Sequence, residues 1–152
     1  RASVHALKYR GMRLVAEPMS RHLVSRLPIR FVEPEVVWTP VPLHWRRWLS
    51  RGYNQSAILA RALADTVSHE SPRILLRRRR NTPTQTARSY RERHANVRNA
   101  FEVPHGMNVP EAVLLIDDVI TTGATVEECA RVLKDAGAKW VGAFAFGLTH
   151  NG

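Results

Sequence analysis

The sequence predicts an α/β fold in which a mostly parallel central sheet is flanked by helices. Apolar patterns with helical spacing alternate along the chain with short β-branched runs, the order expected when helices cross over between parallel strands. Ala112 to Ile116 is a continuous apolar run, the pattern of a strand covered on both faces. The length of 152 residues fits one domain, assigned to residues 1–152. At this size roughly 70% of the unfolded surface can be buried, so a core needs no covalent staples.

The elements follow in order. Leu14, Val15, Met19, Leu23, Val24 and Leu27 define a helix over Met12–Leu27, ended by Pro28 and Pro34. Glu35 to Val41 is β-branched and reads as a strand. Pro42 to Asn54 is a loop rich in Trp and Arg, and Gln55 to Val67 a second helix. Arg73 to Arg77 is expected as a strand centred on Ile74, Leu75 and Leu76. Asn81 to Thr86 is turn-like, and Arg88 to Arg98 helical. After the buried run at 112–116, Val126, Cys129, Ala130 and Leu133 mark a helix over Thr122–Ala136, with Gly137 suited to the left-handed position past its end. Trp140 to Leu148 closes the sheet.

Composition excludes several classes. Hydrophobic residues make up 44%, but no apolar run approaches the roughly 18 residues of a membrane span. No signal peptide is visible, and Arg1 reads as a cut point with further sequence expected upstream. The single cysteine, Cys129, excludes an internal disulfide and a cysteine-based zinc site; it reads as a small apolar helix residue, compatible with a cytoplasmic protein. The net charge is +10, and it is unevenly spread: Arg73 to Arg98 holds nine arginines and one acid, Glu92, hence +8 of the total. Such a run suits a polyanion, either phosphate groups or nucleic acid; a solvated basic face is the other reading.

The stretch Val113-Leu-Leu-Ile-Asp-Asp-Val-Ile-Thr-Thr-Gly-Ala-Thr125 carries the chemistry. A buried strand delivers Asp117 and Asp118 to its carboxyl end, where ligands of open α/β sheets bind. A loop with Thr121, Thr122 and Gly123 leads into a helix whose first N–H groups favour an anion. Two carboxylates beside it would repel that anion unless they accept hydrogen bonds from sugar hydroxyls. The rival reading, a Walker B acid pair, needs a G-x-x-x-x-G-K-[ST] loop, and none is present; neither is G-x-G-x-x-G.

This segment resembles the signature of type I phosphoribosyltransferases that bind phosphoribosyl pyrophosphate (PRPP). The resemblance implies a type I phosphoribosyltransferase-like fold. It also implies that Asp117 and Asp118 hold the ribose hydroxyls and act as catalytic residues, while Val119 and Thr121, Thr122, Gly123, Ala124 and Thr125 wrap the 5′-phosphate. Pro40 to His44 and Arg51-Gly-Tyr-Asn-Gln55 occupy the place of a pyrophosphate loop. There Arg51 offers a forked donor set, Gly52 a turn and Asn54 a backbone bond or helix cap, although Asn54 as a plain cap and Arg51 as a surface charge fit equally well. With Leu7-Lys-Tyr-x-Gly11 and Arg80-Asn-Thr-Pro-Thr-Gln-Thr86, followed by Arg93, Asn96-Val97 and Ala100-Phe101, the set is similar to the competence protein F (ComF) family, also called the GntX group. Family members usually continue with Gly-Leu after the position of Thr86, where this chain has Ala87-Arg88. They also usually begin with a zinc ribbon, which would precede Arg1.

The resemblance implies that arginines of the 73–93 region, Arg79 and Arg80 among them, join Arg51 in neutralising the leaving pyrophosphate. It implies no metal site of the protein's own: magnesium would arrive with PRPP. Two functions stand side by side. One is transfer of a phosphoribosyl group to an unknown acceptor. The other is an accessory role in DNA uptake, with single-stranded DNA and competence proteins as partners and the PRPP site used for regulation. Trp45 and Trp48 beside Arg46 and Arg47 suit base stacking or core packing alike. The histidines show no ligand-like spacing, and His94 reads as a hydrogen-bonded surface residue.

Overall fold

A computed structural model describes residues 2–43, 49, 52–80 and 90–148. The elements are α1 (Ala2–Leu23), two 3-10 turns (Val24–Arg26 and Ile29–Val32), β1 (Val36–Pro40), α2 (Gln55–Thr66), β2 (Arg77–Arg78), α3 (Tyr90–Val97), β3 (Phe101–Glu102), β4 (Ala112–Ile120), α4 (Ala124–Asp135) and β5 (Trp140–Leu148). The expected α/β architecture is observed. β1, β4 and β5 form a parallel sheet in that order, with Trp38 opposite Leu114 and Leu114 opposite Gly142. β2 and β3 pair separately and antiparallel.

β4 lies between two layers, and its side chains alternate between them. Val113 and Leu115 pack with Cys129 and Leu133 of α4 and with Leu75, Leu76 and Phe101. Leu114 and Ile116 pack with Trp38 and with Ala60, Leu63 and Ala64 of α2. All four β4 residues are 0% exposed, which is why this run is apolar without alternation. α1 packs on α2, turning in Ala16 and Ser20 one helical turn apart. Among the described residues no helix is long and apolar enough to cross a membrane.

Besides β3, which the sequence reading lacks, and β4, which runs on to Ile120, two elements differ most from that reading. α1 starts at Ala2 rather than Met12 and stops at Leu23; the chain tightens to a 3-10 turn because Pro28 holds Leu27 extended. The strand expected over Arg73–Arg77 is only Arg77–Arg78. The preceding residues run along the outer edge of β1 without a regular ladder. Arg73 N–H donates to the Trp38 carbonyl (2.8 Å), but Leu75 N–H donates to the Thr39 hydroxyl (3.2 Å) instead of a backbone oxygen. Leu75 and Leu76 are nevertheless fully buried, as their apolar character requires.

Thr39 is itself 0% exposed. Thr39→Val keeps its shape and strands a buried N–H, so it should cost about 1–3 kcal/mol in urea unfolding, while Thr39→Ser should lose much less.

Candidate functional site at the carboxyl edge of the sheet

β4 continues past its apolar run, so Asp117 and Asp118 stand within the strand rather than in the loop after it. The pairing with β5 skips Asp118, where the ladder loosens before the chain leaves the sheet. The Asp117 Oδ1 accepts two hydrogen bonds, from the Ser56 hydroxyl (2.9 Å) and from Asp118 N–H (2.9 Å). Asp118 Oδ1 accepts from Val119 N–H (2.8 Å). Burial raises the Asp117 carboxyl to about 7, the nearby Asp118 charge adding to the rise and the Ser56 hydrogen bond opposing it.

Nothing in the sequence singles out Ser56. It lies near the start of α2, and what brings it to Asp117 is Asn54. The Asn54 side chain accepts from Ser56 N–H (3.1 Å) as the helix N-cap and donates to the Val41 carbonyl (3.0 Å) just past β1. The cap reading of Asn54 is therefore the observed one. Gly52, two residues earlier, has φ 83°, a turn that a side chain would strain. Arg51 lies outside the described residues.

The loop and first turn beyond β4 enclose a cavity of about 40 Å³, lined by Asp117 and the unbroken run 119–126. Every cradle residue singled out in the sequence is there: Val119, Thr121, Thr122, Gly123, Ala124 and Thr125. Asp118 is not part of the lining. The volume holds a few water-sized groups, the size class of a phosphate. Gly123 is the N-cap of α4 with φ 79°, and having no side chain it makes no side-chain cap hydrogen bond to the first N–H groups. A Cβ on Gly123 would meet Glu127 Oε1 at 3.2 Å. Glu127 is in turn 3.4 Å from His94 Nδ1 on α3.

The helix behind the cradle is anchored. Glu128, 8% exposed, accepts from Asn99 N–H (2.7 Å) and from Arg131, whose hydrogen bond is the main reason its carboxyl lies below the usual range. Cys129 beside it is fully buried, and burial pushes its thiol up. Arg79 and Arg80 already have structural partners: Arg79 pairs with Glu102 (2.8 Å), and Arg80 donates to the Asn96 and Arg98 carbonyls at the end of α3. Arg77 also pairs with Glu102. A larger cleft of about 1330 Å³ opens on the far side of Asn54, between α1, α2 and the segment 74–78.

The fold and site thus define an α/β domain with a parallel sheet, an acid pair on its central strand and an uncapped helix start beside it. No family model matches the chain. It is 38% identical over 109 residues to competence protein F of Haemophilus influenzae, covering 70% of this chain and 47% of that protein. It is 33% identical over 149 residues to the DNA utilization protein YhgH of Escherichia coli O157:H7, covering 91% and 62%. Among solved structures, that of TT1426 from Thermus thermophilus is similar with a TM-score of 0.45 at 14% identity, covering 91% of this chain and 83% of that one. The chain belongs to the ComF family. It spans about half to six-tenths of the length of the curated relatives it matches.

The raised Asp117 carboxyl makes a stability prediction. Its folded value of about 7 lies above the ordinary value of 3.8, so the folded state holds the proton more tightly. Stability should fall as pH rises from about 4 to about 7 and then level, by on the order of 2–4 kcal/mol. Asp117→Asn, whose amide oxygen can accept the same two hydrogen bonds, should match the parent protein only below about pH 4, where the acid is protonated in both states, and exceed its Tm at pH 8. Equal melting curves at both pH values would overturn the assignment.

Proposed function

We propose that this domain binds PRPP at the cradle after β4 and transfers its phosphoribosyl group, with release of pyrophosphate, to an acceptor. The observation that carries the reading is the cavity lined by Asp117 and residues 119–126, which joins a carboxylate to an uncapped helix N-terminus. An anion alone would not want Asp117 there; an anion attached to a sugar would, because the carboxylate can accept its hydroxyls. In this reading Thr121 to Thr125 take the 5′-phosphate, and Asp117 and Asp118 the ribose. Arg51, Arg79 and Arg80 face the leaving pyrophosphate, the latter two exchanging their present partners for it. The bond from ribose C1 to pyrophosphate breaks with its electrons leaving on the pyrophosphate, and the acceptor's lone pair forms the new bond at C1. Donors aimed at the leaving oxygens lower that barrier most.

Magnesium would arrive with PRPP, whose phosphate oxygens are ligands it prefers, with no metal ligand assigned to the protein itself. Among the described residues no cluster of three or more His, Cys, Asp or Glu gathers to hold a metal alone. When bound, the ion would offset charge on the pyrophosphate. The cleft beyond Asn54 is large enough to admit an acceptor.

A second reading, an accessory role in DNA uptake, is favoured by the relatives' names, competence protein F and DNA utilization protein, and by the arginines of 73–98. It keeps PRPP binding and assigns it to regulation, with single-stranded DNA and competence proteins as partners.

Titration calorimetry with PRPP and magnesium tests the first reading. Asp117→Asn and Asp118→Asn should each weaken binding at least about tenfold, a loss of about 1.4 kcal/mol or more, with circular dichroism unchanged. Normal PRPP binding by either variant would remove that acid from the ribose site. For the second reading, single-strand affinity should fall steeply with salt, by about 0.7 log units per log unit of salt for each phosphate contacted. A flat salt dependence would leave only the phosphoribosyl function.

A further inference from the structure

Serine and threonine hydroxyls on helices often return to a carbonyl about one turn back. Ser20, Ser25 and Thr66 do so here, donating to the Ala16, His22 and Ala62 carbonyls. Ser56 does not. It is 4% exposed, and its hydroxyl crosses from α2 to Asp117 Oδ1 on β4 at 2.9 Å.

That hydroxyl is held in a closed ring of hydrogen bonds. Asn54 Oδ1 accepts from Ser56 N–H (3.1 Å), Asn54 Nδ2 donates to the Val41 carbonyl (3.0 Å), and Val41 N–H donates to the Ile116 carbonyl (2.9 Å). Ile116 precedes Asp117, so the ring returns to the acid along the chain. The Ser56 hydroxyl and Asp118 N–H between them occupy Oδ1. Oδ2 accepts no hydrogen bond from the described residues, while Asp117 lines the cavity. One oxygen of the acid is thus fastened, and the other is open to a ligand.

We propose that Ser56 is a positioning residue for the sugar: by holding Oδ1 it fixes the Asp117 carboxyl with Oδ2 free to accept a ribose hydroxyl. The assignment rests on the PRPP reading of the cradle. A hydroxyl donated to a carboxylate also favours the ionised form, against the desolvation that opposes it. The groups facing Asp117 are Asp118 beside it, Ser56 from α2 and the Cys129 thiol from α4, which feels the Asp117 charge. Of these side chains only Ser56 favours that charge; Asp118 opposes it. Loss of the hydroxyl therefore frees the carboxyl to rotate and moves it toward the protonated form, which keeps less acceptor capacity. Val41 and Asn54 belong to the segments expected to face pyrophosphate. The ring thus holds that loop in register with the acid that faces the ribose, and Ser56 acts on the ligand only through Asp117.

Titration calorimetry on the whole chain at about pH 7, with PRPP and magnesium and separately with inorganic phosphate, tests this. Ser56→Ala should weaken PRPP binding about fivefold or more, the loss of one net hydrogen bond. Inorganic phosphate brings no sugar hydroxyl, so its affinity should stay within about twofold or rise, since a less charged Asp117 repels it less. Ser56→Thr, which keeps the hydroxyl, should restore PRPP binding. Carbon-13 NMR of the Asp117 carboxyl gives a readout without ligand. Its titration midpoint should move up by about half a pH unit or more in Ser56→Ala, and stay in place in Ser56→Thr. PRPP affinity unchanged in Ser56→Ala, or lost in parallel with phosphate, would overturn the proposal. A parent protein that binds no PRPP would instead sink the PRPP reading. The NMR midpoint then decides for Ser56 alone, and a midpoint unmoved in Ser56→Ala overturns its hold on Asp117. Should Ser56→Ala not fold, Ser56→Cys, whose thiol is a weak donor, takes its place in each comparison.

Discussion

Complete burial of β4 is the constraint on which the rest of this structure depends. Val113 to Ile116 are sealed on both faces, so every backbone group must be paired within the sheet and every side chain must be apolar. The first polar side chain the strand meets on leaving that environment is Asp117, and it is still partly desolvated. A carboxylate there is costly, and two donors offset the cost: the Ser56 hydroxyl and Asp118 N–H. The Ser56 contact also ties the start of α2 to the end of β4. The seal that forms the core thus sets the chemistry of the acid and the position of the helix next to it.

On the other side of the sheet, α4 is held from behind and left open in front. Glu128 and Arg131 bind the turn after α3, fixing the helix, while its N-terminus is left without a side-chain cap. Relative to a Ser, Thr, Asn or Asp cap, the glycine there costs only about a few tenths of a kcal/mol. In the proposed reading, the N–H donors of that N-terminus are the ones that take the 5′-phosphate.

The arginines show how little charge alone says about role. Arg77 and Arg79 converge on Glu102, and Arg80 satisfies carbonyls at the end of α3. A segment with a large excess of positive charge is in part a set of fasteners around a two-stranded ribbon. Any polyanion that engages these residues must compete with those contacts, which links ligand binding there to the order of the ribbon and α3.

The sequence by itself determined the α/β class, the buried central strand, the helix after the acids and the strand–loop–helix cradle. These rest on local rules: apolar period, turn glycine and the donors of a helix start act over a few residues and can be read in a line. Asp117 and residues 119–126 accordingly meet around one cavity as expected. Tertiary structure alone decided the rest. Ser56 reaches Asp117 across 61 positions of sequence, and nothing near Ser56 announces it. The run 73–76 has the composition of a strand yet pairs irregularly, because its neighbour offers the Thr39 hydroxyl where a ladder needs a carbonyl. α1 begins earlier than its apolar stripe, since helix ends follow backbone bonding and packing rather than the stripe itself. Which sheet edge is covered depends on where a distant segment returns, and that is a property of the folded chain, set by long-range packing that no local pattern encodes.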